Sequence, residues 1–157
     1  MALLRCGLHR TTATIGGIPP GRLVYFHDHG SPGPGVYLPE RWVGNRARFA
    51  ASGTTLAEPE RASELLEPLP REGLYRVVST FFCCAERCRE FRPDVLVQLG
   101  YDAAATPILF VPELAGASLE LPTRGTRIDR DRIASLARLE VPTRDGVHED
   151  ASPDLLH

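Results

Sequence analysis

A chain of 157 residues with 43% hydrophobic residues and a formal net charge of −2 has the length of one domain and enough apolar surface to build a core without metal or disulfide support. That balance excludes wholesale disorder and offers no generic attraction for nucleic acid or for acidic membrane surfaces. No stretch approaches the roughly 20 apolar residues that span a bilayer.

The opening Met1-Ala2-Leu3-Leu4-Arg5-Cys6 is too short, and too soon broken by Arg5, to act as a signal peptide. The expected location is therefore cytoplasmic, where thiols are kept reduced. Every one of the 18 basic residues is Arg, which points to a GC-rich bacterial genome before any selected role for guanidinium groups. The 14 Gly and 14 Pro favour many turns and short strands over long helices.

In chain order, residues 1–20 are weakly patterned and end in the stiff turn Gly16-Gly17-Ile18-Pro19-Pro20-Gly21. Arg22 to Phe26 reads as a strand, and Gly30-Ser31-Pro32-Gly33-Pro34-Gly35 as a loop. Val36-Tyr37-Leu38 is a short strand stopped by Pro39. Trp42 to Phe49 alternates Arg46 and Arg48 with Ala47 and Phe49, as a half-exposed strand does. Residues 53–72 read as a polar, Pro-punctuated connection with one or two helical turns between Glu60 and Leu66.

The best-defined part is 74–111. Strands are expected at Leu74 to Phe82, Val95 to Tyr101 and Ile108 to Val111, joined by short links into an antiparallel meander whose apolar runs are covered on both faces. Asp129 is placed to cap a short helix running to about Arg138, with Ile133, Leu136 and Ala137 on one stripe. Leu139-Glu140-Val141 adds a last strand, and no internal repeat is visible. The expected fold is mainly β, a small antiparallel barrel or two-sheet module over residues 1–141 with one short helix near the C-terminus. Residues 142–157 are expected to form a flexible acidic tail.

Cys83, Cys84 and Cys88 fall within six positions directly after an apolar run. Adjacent strand residues point to opposite faces, so Cys83 and Cys84 cannot share one ion unless the strand ends there. A helical turn through Ala85-Glu86-Arg87 brings Cys84 and Cys88 to one side. Cys6 and His9 have the two-residue gap of a chelating knuckle, so Cys6, His9, Cys84 and Cys88 make one arithmetically possible tetrahedral set, for zinc ahead of iron. His27 and His29 alternate onto one strand face, a second arrangement suited to a metal with open positions. Arg87 and Arg89 flank Cys88 and are placed to lower its pKa, which makes Cys88 the expected reactive or redox thiol.

The Gly-Pro loop 30–35 has no Lys and too few backbone N–H groups to cradle phosphate. The aromatic-basic stretch around Trp42 reads as an Arg-fringed strand in a chain of acidic balance, not as a nucleic-acid site. No nucleophile elbow, dinucleotide fingerprint, P-loop or zinc-protease helix motif occurs, and no catalytic residue is assigned. These absences favour a non-enzymatic binding or structural-interaction domain that works through a protein partner, by way of the loops 30–35 and 53–72. The alternatives are a metal-binding protein with a Cys/His site and a thiol-dependent redox protein at Cys88. The cofactor expectation is accordingly none, or zinc.

Overall fold

β-branched and aromatic runs cut short by Gly and Pro give strands of two to six residues here, and every pairing among them is antiparallel. The computed structural model describes residues 4–144. The first part carries β1 (Gly7–Thr11), β2 (Leu23–His27), β3 (Gly35–Tyr37), the hairpin strands β4 (Pro39–Val43) and β5 (Arg46–Phe49), then β6 (Thr54–Thr55), the helix α1 (Ala62–Leu65) and β7 (Leu66–Pro68). The second part carries β8 (Gly73–Val77), the short strands β9 (Phe81–Phe82) and β10 (Glu90–Phe91), then β11 (Leu96–Tyr101) and β12 (Pro107–Phe110). It ends with the hairpin β13 (Glu113–Ala115) and β14 (Ser118–Glu120), then β15 (Thr126–Arg127) and β16 (Leu136–Arg138).

These strands form two five-stranded sheets, β6-β3-β2-β1-β7 and β15-β12-β11-β8-β16. The two orders are the same pattern used twice. In each, a three-strand meander is followed by a two-stranded hairpin outside the sheet. A fourth strand then joins the last strand of the meander, a short helical segment follows, and a fifth strand joins the first. No repeat shows in the sequence because the two copies share topology and not residues. Between its first two strands the second copy carries an addition, the β9–β10 hairpin.

The mainly β, antiparallel expectation holds, and the meander expected over 74–111 is present as β8, β11 and β12. Its central strand is covered on both faces: Val97, Leu99 and Tyr101 lie in the main core, and Gln98 is buried on the other side. The expected barrel is not formed, because among the described residues each sheet keeps two unpaired edges. The expected run Leu74 to Phe82 is broken: β8 ends at Val77, whose backbone bonds Val95 and Asp94, and after Val78 N–H donates to the Ser135 carbonyl the chain is not strand again until Phe81.

The helix expected near the C-terminus is corrected as well. Residues Arg130–Ser135 form a 3₁₀ segment, Asp129 makes no side-chain cap bond, and the chain leaves at Leu136 to pair with Val77. The free edge of β8 gives Leu136–Arg138 better backbone partners than another helical turn would. The α-helix is mid-chain instead, at Ala62–Leu65, after a 3₁₀ turn started by Pro59. It lies inside the segment 53–72, which also contributes β6 and β7 and so is part of the fold rather than a loop. The expected acidic tail lies, from residue 145 onward, outside the described residues.

Two cores result. Ile15, Ile18, Val24, Phe26, Val36, Leu56, Ala62 and Leu66 fill the first copy. The larger core takes the other faces of β1 and β2 (Leu8, Leu23, Tyr25) together with Val77, Val97, Leu99, Tyr101 and Leu109 of the second copy. Hairpin β4–β5 crosses between them. Ala47 and Phe49 enter the larger core, the Asn45 side-chain amide donates to Gln98 Oε1 at 3.0 Å and to the Pro122 carbonyl at 2.8 Å, and Gln98 Nε2 donates to the Gly44 carbonyl at 3.0 Å. The Asn45 backbone oxygen sits only 2.7 Å from where a Cβ on Gly100 would lie, so only glycine admits the crossing there.

Glu72, on the link between the copies, reaches under this hairpin and accepts the Ala47 backbone N–H at 3.1 Å. Burial pushes its carboxyl up to about 7, outweighing the Ala47 hydrogen bond and the nearby Arg46 and Arg48 charges. The unfolded carboxyl titrates near 4.5. Between those values the folded chain holds a proton that the unfolded chain has lost, so stability falls as pH rises through this window. The loss is about 1.4 kcal/mol per pKa unit, roughly 3 kcal/mol in all. Glu72→Gln keeps an acceptor for Ala47 and removes the titration. Denaturant unfolding from pH 4.5 to 8 should show the variant growing more stable relative to the native chain up to pH 7, then level. Parallel profiles would show that Glu72 is not held protonated.

Candidate metal centre

Strand β9 ends at Phe82, so the restriction on adjacent strand residues lapses at Cys83 and Cys84. Phe81 and Phe91 anchor the β9–β10 hairpin in the core, their rings stacked with centroids 5.0 Å apart. Cys83 is buried beside them, and its backbone is tied on both sides: its N–H donates to the Arg89 carbonyl and its carbonyl accepts from Asp129 N–H, each at 2.9 Å. Between Cys84 and Cys88 the chain makes a tight turn, closed by Arg87 N–H on the Cys84 carbonyl at 3.1 Å. Arg87 holds a positive φ of 55°. The turn folds Cys88 back over Cys84.

The three sulfurs converge as a result. Cys83 Sγ lies 3.6 Å from Cys84 Sγ, and Cys84 Sγ lies 3.8 Å from Cys88 Sγ. All three lie within 4.8 Å of one another. Metal–sulfur bonds of about 2.3 Å at the tetrahedral angle place neighbouring sulfurs about 3.8 Å apart, and two of the three pairs have that spacing. The Arg89 backbone N–H donates to Cys83 Sγ at 3.2 Å. The N–H of Cys88, the Cys83 thiol and the N–H of Glu86 all favour the thiolate of Cys84 and hold its pKa below the ordinary thiol value.

That finding moves the lowered thiol pKa from Cys88 to Cys84. Cys88 was the expected low-pKa cysteine, yet its pKa is raised, chiefly by its hydrogen bond with Cys84 and that neighbour's charge. The arginines that were to lower it are engaged elsewhere. Arg87 stacks its guanidinium on the Phe82 ring at 4.4 Å, and Arg89 donates to Thr126 Oγ1 at 2.9 Å and lies over Phe91.

The remaining expected ligands group differently from the arithmetic set Cys6, His9, Cys84 and Cys88. Antiparallel pairing of β1 with β2 runs Gly7 to Phe26 and Leu8 to Tyr25, so its continuation sets Cys6 opposite His27. One donor atom each from Cys6, His27 and His29 lies within 4.8 Å of the others. His9 joins neither trio. It is buried in the first copy, edge-on to Phe26, and its Nδ1–H donates to the Gly7 carbonyl at 2.9 Å. Burial pushes its pKa down, so it is a neutral core residue. Cys83 and Asp28 were not singled out in the sequence as ligands. The signal for Cys83 was the polar run Ala85 to Glu90, which stops the strand before the second cysteine.

In metal-free, reduced protein at pH 7.5 we expect Cys84 to be alkylated before Cys88, although Cys88 is the more exposed. Peptide mapping after brief iodoacetamide treatment reads the order directly. Faster labelling of Cys88 would contradict the hydrogen-bond assignment.

No family model matches the chain, and neither a curated protein nor a solved structure matches it, so the functional reading is carried by the donor geometry.

Proposed function

We propose that this chain is a metal-binding protein that holds one thiophilic ion, zinc first, on Cys83, Cys84 and Cys88. The observation that carries the reading is the sulfur spacing of 3.6 and 3.8 Å in the absence of any disulfide among the described cysteines. Three thiolates are the soft donor set that favours zinc or copper(I) over magnesium, calcium or manganese. The backbone N–H groups on Cys83 and Cys84 play the outer-shell part, orienting the sulfurs and offsetting their charge. With three protein ligands the fourth position is left to water or to an incoming ligand, the arrangement of an exchangeable or reactive site rather than a closed one.

The test is elemental analysis of untagged protein purified without chelators. Native protein should carry zinc, and Cys84→Ser and Cys88→Ser should each lower affinity at this site by at least about 100-fold, beyond the cost of losing an outer-shell partner. Since an ion at a hundred times its Kd stabilises a fold by about 2.7 kcal/mol, chelation should also lower the native melting temperature by roughly 5–10 °C. Wild-type metal content in both variants would refute the reading.

A further inference from the structure

A second trio stands at the open end of β1 and β2, and it has different chemistry. Cys6 Sγ lies 3.5 Å from His29 Nδ1, and the rings of His27 and His29 touch at a 48° tilt with centroids 4.0 Å apart. Two imidazoles in contact gain nothing by themselves, and they repel if both are protonated. A shared cation between their nitrogens reverses that sign. With metal–nitrogen bonds near 2.0–2.1 Å and a metal–sulfur bond near 2.3 Å, a tetrahedral centre sets sulfur and nitrogen about 3.6 Å apart, close to the spacing observed.

Two further observations point to a ligand here. His27 Nδ1 is buried and has no hydrogen-bond partner among the described residues, and a buried nitrogen in that state carries a desolvation cost of about 1–3 kcal/mol. Asp28 also stands against the same group. Its backbone N–H donates to Cys6 Sγ at 3.4 Å, and its Oδ1 lies 3.8 Å from Cys6 Sγ and 3.5 Å from His29 Nδ1. One sulfur and two imidazole nitrogens thus lie within 4.8 Å of one another, with the Asp28 carboxylate beside Cys6 and His29.

We propose that Cys6, His27 and His29, with Asp28 beside them, form a second and independent site for a late first-row divalent ion, zinc or copper(II). Its mixed nitrogen–sulfur donors are borderline in softness, unlike the all-sulfur trio at Cys83, Cys84 and Cys88. Cys6 and His27 lie one residue beyond the last β1–β2 pair, Gly7 with Phe26, while His29 follows the strand with its side chain 70% exposed. Binding therefore needs only the His29 ring to settle, and the ion stays open to exchange with solvent. Coordination takes the Cys6 proton, which is released to water as the sulfur–metal bond forms.

Co2+ added to reduced, metal-free protein is the probe, because thiolate-to-cobalt charge transfer reports sulfur ligation. In the Cys84→Ser/Cys88→Ser double variant one Co2+ per chain should still bind with a charge-transfer band. Adding Cys6→Ser should abolish that band. In the otherwise unaltered chain, His29→Ala removes a mostly exposed side chain outside both cores and should reduce bound Co2+ by one per chain. A double variant with no band, a band that survives Cys6→Ser, or unchanged stoichiometry in His29→Ala would overturn the second site. None of these outcomes bears on the Cys83, Cys84 and Cys88 cluster, whose zinc content is measured separately.

Discussion

One close approach joins the two halves of the molecule: the Asn45 carbonyl passes over Gly100, in a space that a single methyl group would close. The hairpin carrying Asn45 belongs to the first copy of the strand pattern, and the strand beneath it is the centre of the second. Around that crossing the polar groups are paired, Asn45 with Gln98 and Pro122, and Gln98 with Gly44. Burial without those bonds would cost more than the contact returns. Glu72 completes the joint from below, and burial there raises its pKa to about 7 against the Ala47 N–H and the nearby Arg46 and Arg48 charges. With the joint in place, Leu8, Leu23 and Tyr25 of the first copy share one core with the second.

The candidate metal ligands lie away from this joint, on parts where the two copies differ or end. The thiol trio is carried by the β9–β10 hairpin, which has no counterpart between β1 and β2. A binding site grafted onto a repeated scaffold is expected in such an addition, because the scaffold strands are already committed to the core. Its three cysteines are graded in burial. Cys83 is part of the core, Cys84 is half-buried and Cys88 is exposed at the far end of the turn. Under the proposed metal reading, the exposed Cys88 is the ligand through which an ion would reach the cluster.

Much of the strand layout was legible from residue type. Leu23–His27, Leu96–Tyr101 and Pro107–Phe110 are rich in apolar, β-branched and aromatic residues, and Gly21 and Asp28, Asp94 and Asp102, and Pro107 and Pro112 bound them. Strand β1 was not legible, because Gly7–Thr11 is half polar. Thr11 is fully buried only because its hydroxyl donates to the Pro19 carbonyl and accepts the Arg22 N–H. The helix expected after Asp129 lost to the free edge of β8, a competition between elements far apart in the chain. The ligand groups failed for the same kind of reason. That Cys6 meets His27 is a matter of β1–β2 register, and that Cys83 joins Cys84 depends on where one strand stops. Spacing along the chain suggested Cys6 with His9, but Leu8 and His9 are strand residues that enter the two separate cores.

The central claim is that one ion sits on three thiolates of a single hairpin. X-ray absorption at the zinc edge tests it most directly, on Cys6→Ser protein loaded with one equivalent of zinc so that only the thiol cluster reports. The account predicts a first shell of three sulfurs at about 2.3 Å with one lighter ligand. A shell of nitrogen and oxygen alone, or a single sulfur, would contradict it.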